Sequence, residues 1–211
     1  MYILGISCFY HEAAATLIRD GQVVAASAEE RFSRKKHDSD FPKGAIEFCL
    51  KKAAIGASRL DFVVFYEKPF WKFQRILLST LASYPAAPRL FAKAMVTWLS
   101  DKLWVRSIIA DELGIEPKKI LFVPHHVSHA ASAFYASGFE KAAILTFDAV
   151  GEWTTTTYGV GDGLGLAILK EIKFPHSLGL LYSVFTAFLG FEVNDGEYKV
   201  MGMAPYGKPK Y

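Results

Sequence analysis

Cysteine is scarce in this chain. Two thiols, Cys8 and Cys49, stand far apart among 211 residues, without the spacing of a metal or redox pair. The expectation is a reduced, cytoplasmic setting. Long apolar runs are missing too. The nearest, Ile76 to Leu99, is broken by Pro85, Pro88, Arg89 and Lys93, which leaves it short of the ~18 uninterrupted apolar residues of a membrane span. A helix lying on a surface or facing a partner stays open there. No basic stretch precedes the first apolar residues, so no signal peptide is read. Strong net charge is also absent: +3 over the whole length speaks neither for nor against nucleic acid. What is present is the composition of a folded protein, 52% hydrophobic and 21% charged. That suffices for one large domain or two small lobes.

The most informative stretch runs from Phe122 to Trp153 and holds three of the six histidines. Pro124 suits the start of a helix, which the small and aromatic residues from Val127 to Ala136 continue. His125 and His129 are four apart, so both imidazoles project from one face; His126 points roughly 100° away. Ala142 to Phe147 then reads as a buried strand that delivers Asp148 to a turn at Gly151. Strand ends are where α/β sheets present chemistry. Two imidazoles and a carboxylate make a partial metal shell of mixed nitrogen and oxygen, suited to iron, zinc or manganese. The same spacing also fits histidines that only hydrogen-bond in a crowded interface.

In chain order, Tyr2 to Phe9, Ala13 to Ile18 and Gln22 to Ser27 read as a three-stranded antiparallel meander, with a hairpin turn at Asp20-Gly21. The loop Tyr10-His11-Glu12 is either a solvent-exposed hairpin or an approach to a ligand. The charge run Glu29 to Asp38 is either a solvated face or a grip for an anion such as phosphate. A helix from Pro42 to Gly56 and a strand from Leu60 to Tyr66 follow. Residues 67–116 interleave aromatics with basic residues in a helical pattern, which fits packed amphipathic helices better than a nucleic-acid surface. Ile120 to Val123 is a fifth strand. Beyond Asp148, Trp153 to Val160 and Leu164 to Phe174 form a hairpin around Gly161-Asp162-Gly163, so the opening meander begins again after position 141. Ser177 to Phe191 reads as a helix. In Glu197 to Gly207, glycines beside Lys199 fit either a turn-rich loop or a close approach to a phosphate or carboxyl group.

Together these pieces resemble the N-terminal part of the O-carbamoyltransferases of the nodulation and antibiotic-tailoring type. The matching segments are LGISCFYHEAAATLIRDG, AEERFSRKKHDSDFP, VPHHVSHAASAFYASGF, TFDAVGEW, SLGLLYSVFTAFLGF and KVMGMAPYG, which span nearly the whole chain in order. The resemblance implies an α/β, ribonuclease-H-like duplicated fold of the actin and sugar-kinase superfamily. The first lobe would be 1–140 with a helical insertion at about 67–119, and the second, incomplete, 141–211. It implies an enzyme that moves a carbamoyl group from carbamoyl-adenylate, made from ATP and carbamoyl phosphate, onto an acceptor hydroxyl. His125, His129 and Asp148 would be ligands of a divalent metal, iron foremost. Lys36 would contact the carbamoyl-adenylate and His11 would serve as general base. Gly179, Lys199 and Gly202 would lie on the nucleotide side.

The family's fourth metal ligand, a later aspartate, has no counterpart in these residues, and neither has the C-terminal adenylate-forming domain. The resemblance therefore implies a fragment, a truncated reading frame or one half of a split enzyme, with the missing part as a candidate partner chain. Two other readings stay open: a non-catalytic nucleotide-binding subunit, and an actin-like ATPase or sugar kinase. Against the last, the turn after the first strand is Tyr10-His11-Glu12 and not a glycine-rich phosphate loop.

Overall fold

A computed structural model describes residues 1–10, 12–85, 88–100 and 102–210. His11, the expected base, lies outside the described residues. The chain divides into two compact units, Met1–His125 and His126–Tyr211. The division falls in the first turn of a helix, where the sequence had suggested a boundary near 140.

The first unit is built on a five-stranded sheet. Strands β1 (Tyr2–Ser7), β2 (Ala14–Arg19) and β3 (Gln22–Ala28) are the expected antiparallel meander. Asp20 and Gly21 both take positive φ in its turn, 51° and 82°, the region that Asp tolerates and Gly prefers. A short helix α1 (Glu30–Ser33) and helix α2 (Lys43–Lys52) follow. Next come β4 (Phe62–Phe65), helices α3 (Pro69–Ala82), α4 (Pro88–Ser100) and α5 (Val105–Leu113), and β5 (Ile120–Phe122). The strand order is β3-β2-β1-β4-β5, with β4 parallel to β1 and β5 parallel to β4. A meander extended by two parallel strands is the ribonuclease-H-like sheet, so the expected α/β class holds.

Alternation builds the core. Leu4, Ile6 and Cys8 face inward along and just beyond β1, opposite Ala15 and Leu17 of β2. Helix α2 lays Ala45, Ile46 and Cys49 on the same core, at one-turn spacing. Each fully buried leucine stabilises by about 1.5–3 kcal/mol relative to exposure.

The charge run is not simply a solvated face. Glu29 is buried, and its two carboxylate oxygens accept from the Gly44 and Ala45 N–H groups at 3.0 and 2.8 Å, where α2 leaves donors without helical partners. Asp38 is buried too, and the backbone of 38–39 accepts from Ala13 and Phe9, folding the run against the loop after β1. In the insertion, α3 packs on α4, with the Phe73 and Trp98 rings 6.0 Å apart.

Helix α6 (His125–Ser137) opens one residue before the second unit, which continues through β6 (Lys141–Phe147), β7 (Thr154–Asp162) and β8 (Gly165–Lys173), an antiparallel sheet in that order. The opening meander is thus repeated. Helices α7 (Leu178–Phe188) and α8 (Glu197–Met203) complete the unit. Glu197 to Met203 is helical where glycines had left a loop open; Lys199 and Val200 donate to the Gly196 carbonyl as its first turn closes. Strand β6 is not wholly buried. Ile144 and Thr146 face inward, whereas Leu145 and Phe147 are 64% and 55% exposed. The covered face lies under α6, whose Phe134 ring rests on Gly161; a Cβ there would sit 2.5 Å from the ring. Among the described residues no helix is long and apolar enough to cross a membrane.

Candidate metal centre

Helix α6 leaves β5 through Val123, whose N–H donates to the Phe65 carbonyl at 3.1 Å, and Pro124 precedes its first residue. The unit division falls after that first residue of α6. His125 and His129 share one helix face, as their spacing predicts. The Tyr66 ring meets the His125 ring edge-on, with centroids 5.5 Å apart.

His126, one position on, is buried in a chain of polar contacts. Its Nε2 is 2.9 Å from the Thr154 carbonyl and its Nδ1 2.6 Å from Thr146 Oγ1, which is itself 2.6 Å from Thr157 Oγ1. A carbonyl only accepts, so Nε2 carries the proton. Nδ1 shares a second hydrogen bond with the Thr146 hydroxyl, and Thr146 a third with Thr157. This buried imidazole fixes the rotation of α6 over β6 and β7, and with it the direction in which His125 and His129 point. Nothing in the sequence singles out His126; the run of four threonines, Thr154 to Thr157, was the available signal.

Asp148 closes the group from the end of β6. Its N–H donates to the Thr155 carbonyl at 2.9 Å, and Gly151 N–H to Thr154 at 2.9 Å, so a tight turn presents the side chain. Oδ1 accepts from the Ala149 N–H at 2.6 Å, while Oδ2 lies 3.7 Å from His129 Nε2. One oxygen is held by backbone and the other offered to the histidine. Ser177 braces the turn from behind: its hydroxyl is 2.7 Å from the Ala149 carbonyl and accepts from the Leu180 N–H at 3.0 Å, capping α7. Gly179 sits so close that a Cβ would lie 2.5 Å from the Asp148 carbonyl carbon and 2.6 Å from the Ala149 nitrogen.

The ligand atoms of His125, His129 and Asp148 all lie within 4.8 Å of one another. With metal bonds of about 2.1 Å, neighbouring ligand atoms are roughly 3–3.5 Å apart. Small side-chain movements would bring two nitrogens and one oxygen within reach of a single ion, and such a donor set suits zinc, iron or manganese.

Residues 2–211 of the sequence match the model of a family described as carbamoyltransferase N-terminus. The chain belongs to that family. Among relatives of this carbamoyltransferase N-terminal chain, an uncharacterised Synechocystis protein is 52% identical across all of the chain, which covers 35% of that protein. The nodulation protein NolNO of Sinorhizobium fredii is 40% identical over 95% of the chain and 28% of its own length. The chain spans about a third of the length of these curated relatives. Solved structures of similar outline include YeaZ from Pseudomonas aeruginosa, at TM-score 0.44 and 14% identity over 82% of this chain and 67% of that one. Another is component A of the Acidaminococcus fermentans (R)-2-hydroxyglutaryl-CoA dehydratase, at 0.45 and 11% identity over 100% and 70%.

The remaining sequence-predicted residues fall in two places. Lys36 is exposed in the first unit, in the turn between α1 and α2. Beside it Lys35 is committed to Asp38 and Asp40, at 3.3 and 3.0 Å, and His37 Nδ1 meets Glu12 at 3.1 Å. Lys199 and Gly202 lie on α8 of the second unit. Lys199 Nζ is 4.0 Å from Asp195, and a Cβ at Gly202 would meet open space. Gly179 alone of these has a packing role, against the Asp148 turn.

Proposed function

We propose that this chain is the transfer half of a carbamoyl-adenylate-dependent O-carbamoyltransferase, with His125, His129 and Asp148 holding a divalent metal, iron foremost. What supports this reading is the convergence of those three ligands, at the end of a strand, in a chain of the carbamoyltransferase family. Bound there, the ion would supply Lewis-acid stabilisation of developing negative charge. In the reaction, the acceptor oxygen attacks the carbamoyl carbon, the carbon–oxygen bond to the adenylate phosphate breaks, and AMP departs. The hydroxyl proton passes to a base, for which His11 is our proposal. Lys36 would face the carbamoyl-adenylate; Lys199, Gly202 and Gly179 would border the nucleotide. Synthesis of the adenylate from ATP and carbamoyl phosphate, and the fourth ligand, would belong to the additional length seen in the relatives.

The test is binding of a stable sulfamoyl analogue of carbamoyl-adenylate, followed by calorimetry. Binding should require added Fe(II) or Zn(II) and weaken at least about tenfold in His129→Ala, as loss of one charge-directed ligand implies. Metal-loaded protein that ignores the analogue would refute the assignment.

A further inference from the structure

The first unit holds a cluster of charge that the proposed reaction does not use. At the start of α3, Lys72 Nζ lies 2.6 Å from Glu67 Oε2, and both side chains are buried. Three residues along the same helix face, Arg75 is buried as well. Lys102, in the 3₁₀ turn Lys102–Trp104 that follows α4, brings in a third cation. Its Nζ faces the Tyr10 ring at 6.0 Å and the Trp98 ring at 5.6 Å, while Lys72 Nζ faces the same Tyr10 ring at 4.4 Å. Two ammonium groups therefore share one aromatic surface.

Glu67 is committed to Lys72. Among the described residues Lys102 makes no ion pair within 4.0 Å. Its ammonium is held below the ordinary lysine range, first by burial and then by the charge of Lys72, with Glu67 opposing in part. Burying a cation without a partner costs free energy, and aromatic faces recover only a fraction of it. The buried Trp98 ring and the Glu67–Lys72 pair also fix the position, so these are not loose surface lysines. Lys72 has donors to spare beyond the one given to Glu67.

We propose that Lys102 and Lys72, over the Tyr10 ring, form a subsite for an oxyanion: a phosphate or carboxylate group of a substrate. Such a group accepts from both ammonium ions and replaces the missing counter-charge. Tyr10 is about half exposed, which leaves an approach from solvent. The subsite lies within the first unit and depends on neither His129 nor Asp148. It therefore stands or falls separately from the metal reading.

The experiment is NMR of the chain carrying 13C-labelled lysine, with the Lys102 Cε signal titrated against pH, alone and with inorganic phosphate or acetate. Alone, Lys102 should titrate below its exposed neighbours. A saturable anion should raise its midpoint and perturb Lys72. Response to phosphate alone assigns a phosphoryl group; response to acetate as well assigns a carboxylate. Lys102→Gln should weaken binding about tenfold or more, and Lys102→Arg should retain it. A Lys102 signal indifferent to both anions, or equal binding by Lys102→Gln, would overturn the proposal.

Discussion

Adding one methyl group at Gly179 should damage the candidate metal centre without touching a ligand. In Gly179→Ala the new Cβ would lie 2.5 Å from the Asp148 carbonyl carbon and 2.6 Å from the Ala149 nitrogen. Ordinary contact begins near 3.4 Å, so backbone must yield by about 0.9 Å. Both atoms belong to the turn that aims Asp148, and Ser177 and Thr155 hold that turn from two other sides. The strain of overpacking is about 1–3 kcal/mol. Metal sites tolerate ligand displacements of only about 0.2 Å. We therefore expect a lowered Tm and a loss of at least about tenfold in Zn(II) affinity, measured by thermal melts and competition with a chromophoric chelator. Gly202→Ala is the control: its Cβ meets open space within a helix, and alanine there should be neutral or stabilise by about 0.5–1 kcal/mol. Equal melting and equal metal affinity for Gly179→Ala and the parent chain would refute the reasoning.

Other outcomes follow from the same contacts. Thr146→Val keeps the shape but removes the hydroxyl between His126 and Thr157, at 2.6 Å from each; it should cost about 2–4 kcal/mol in urea unfolding, and loss below about 0.5 kcal/mol would show the chain of contacts to be idle. Glu29→Ala removes the acceptor of two backbone N–H groups at the start of α2; a cost of about 2–4 kcal/mol is expected, with faster amide exchange confined to Gly44 and Ala45 as the local readout. Burial first, and then the charge of Glu67, pushes the Cys8 thiol well up from its ordinary value. Its folded-state pKa exceeds its unfolded one, so the stability it contributes is complete below about pH 8.5 and declines as pH rises, by up to about 1.4 kcal/mol per pH unit. Comparing parent and Cys8→Ala between pH 8 and 10 isolates that term, and identical slopes would contradict it.

Much of the fold was legible because it is local. Asp20-Gly21 announced its turn through residues that tolerate positive φ, and the alternation of Leu4, Ile6 and Cys8 announced its strand. The shared face of His125 and His129 on α6 was equally readable, since four residues on a helix bring one over the other whatever else the chain does. What could not be read depends on neighbours distant in sequence. Glu29 looked like one more charge in a solvated run until the start of α2 arrived to donate two N–H groups to its carboxylate. Leu145 and Phe147 looked buried because apolarity alone does not say how many faces of a sheet are covered. Lys72 and Arg75 sat in a pattern of amphipathic helices that gave no hint of buried cations. His126 was set aside for pointing away from its neighbours, yet its threonine partners on β6 and β7 are what orient them.

The most direct measurement is metal content by elemental analysis of the chain reconstituted with Fe(II) or Zn(II), beside His129→Ala and Asp148→Ala. The account predicts one equivalent in the parent chain and little in either variant, with far-UV circular dichroism unchanged. Retention of one equivalent by both variants would place the metal elsewhere and contradict the central claim. A parent chain that is folded and holds no metal at all would contradict it equally.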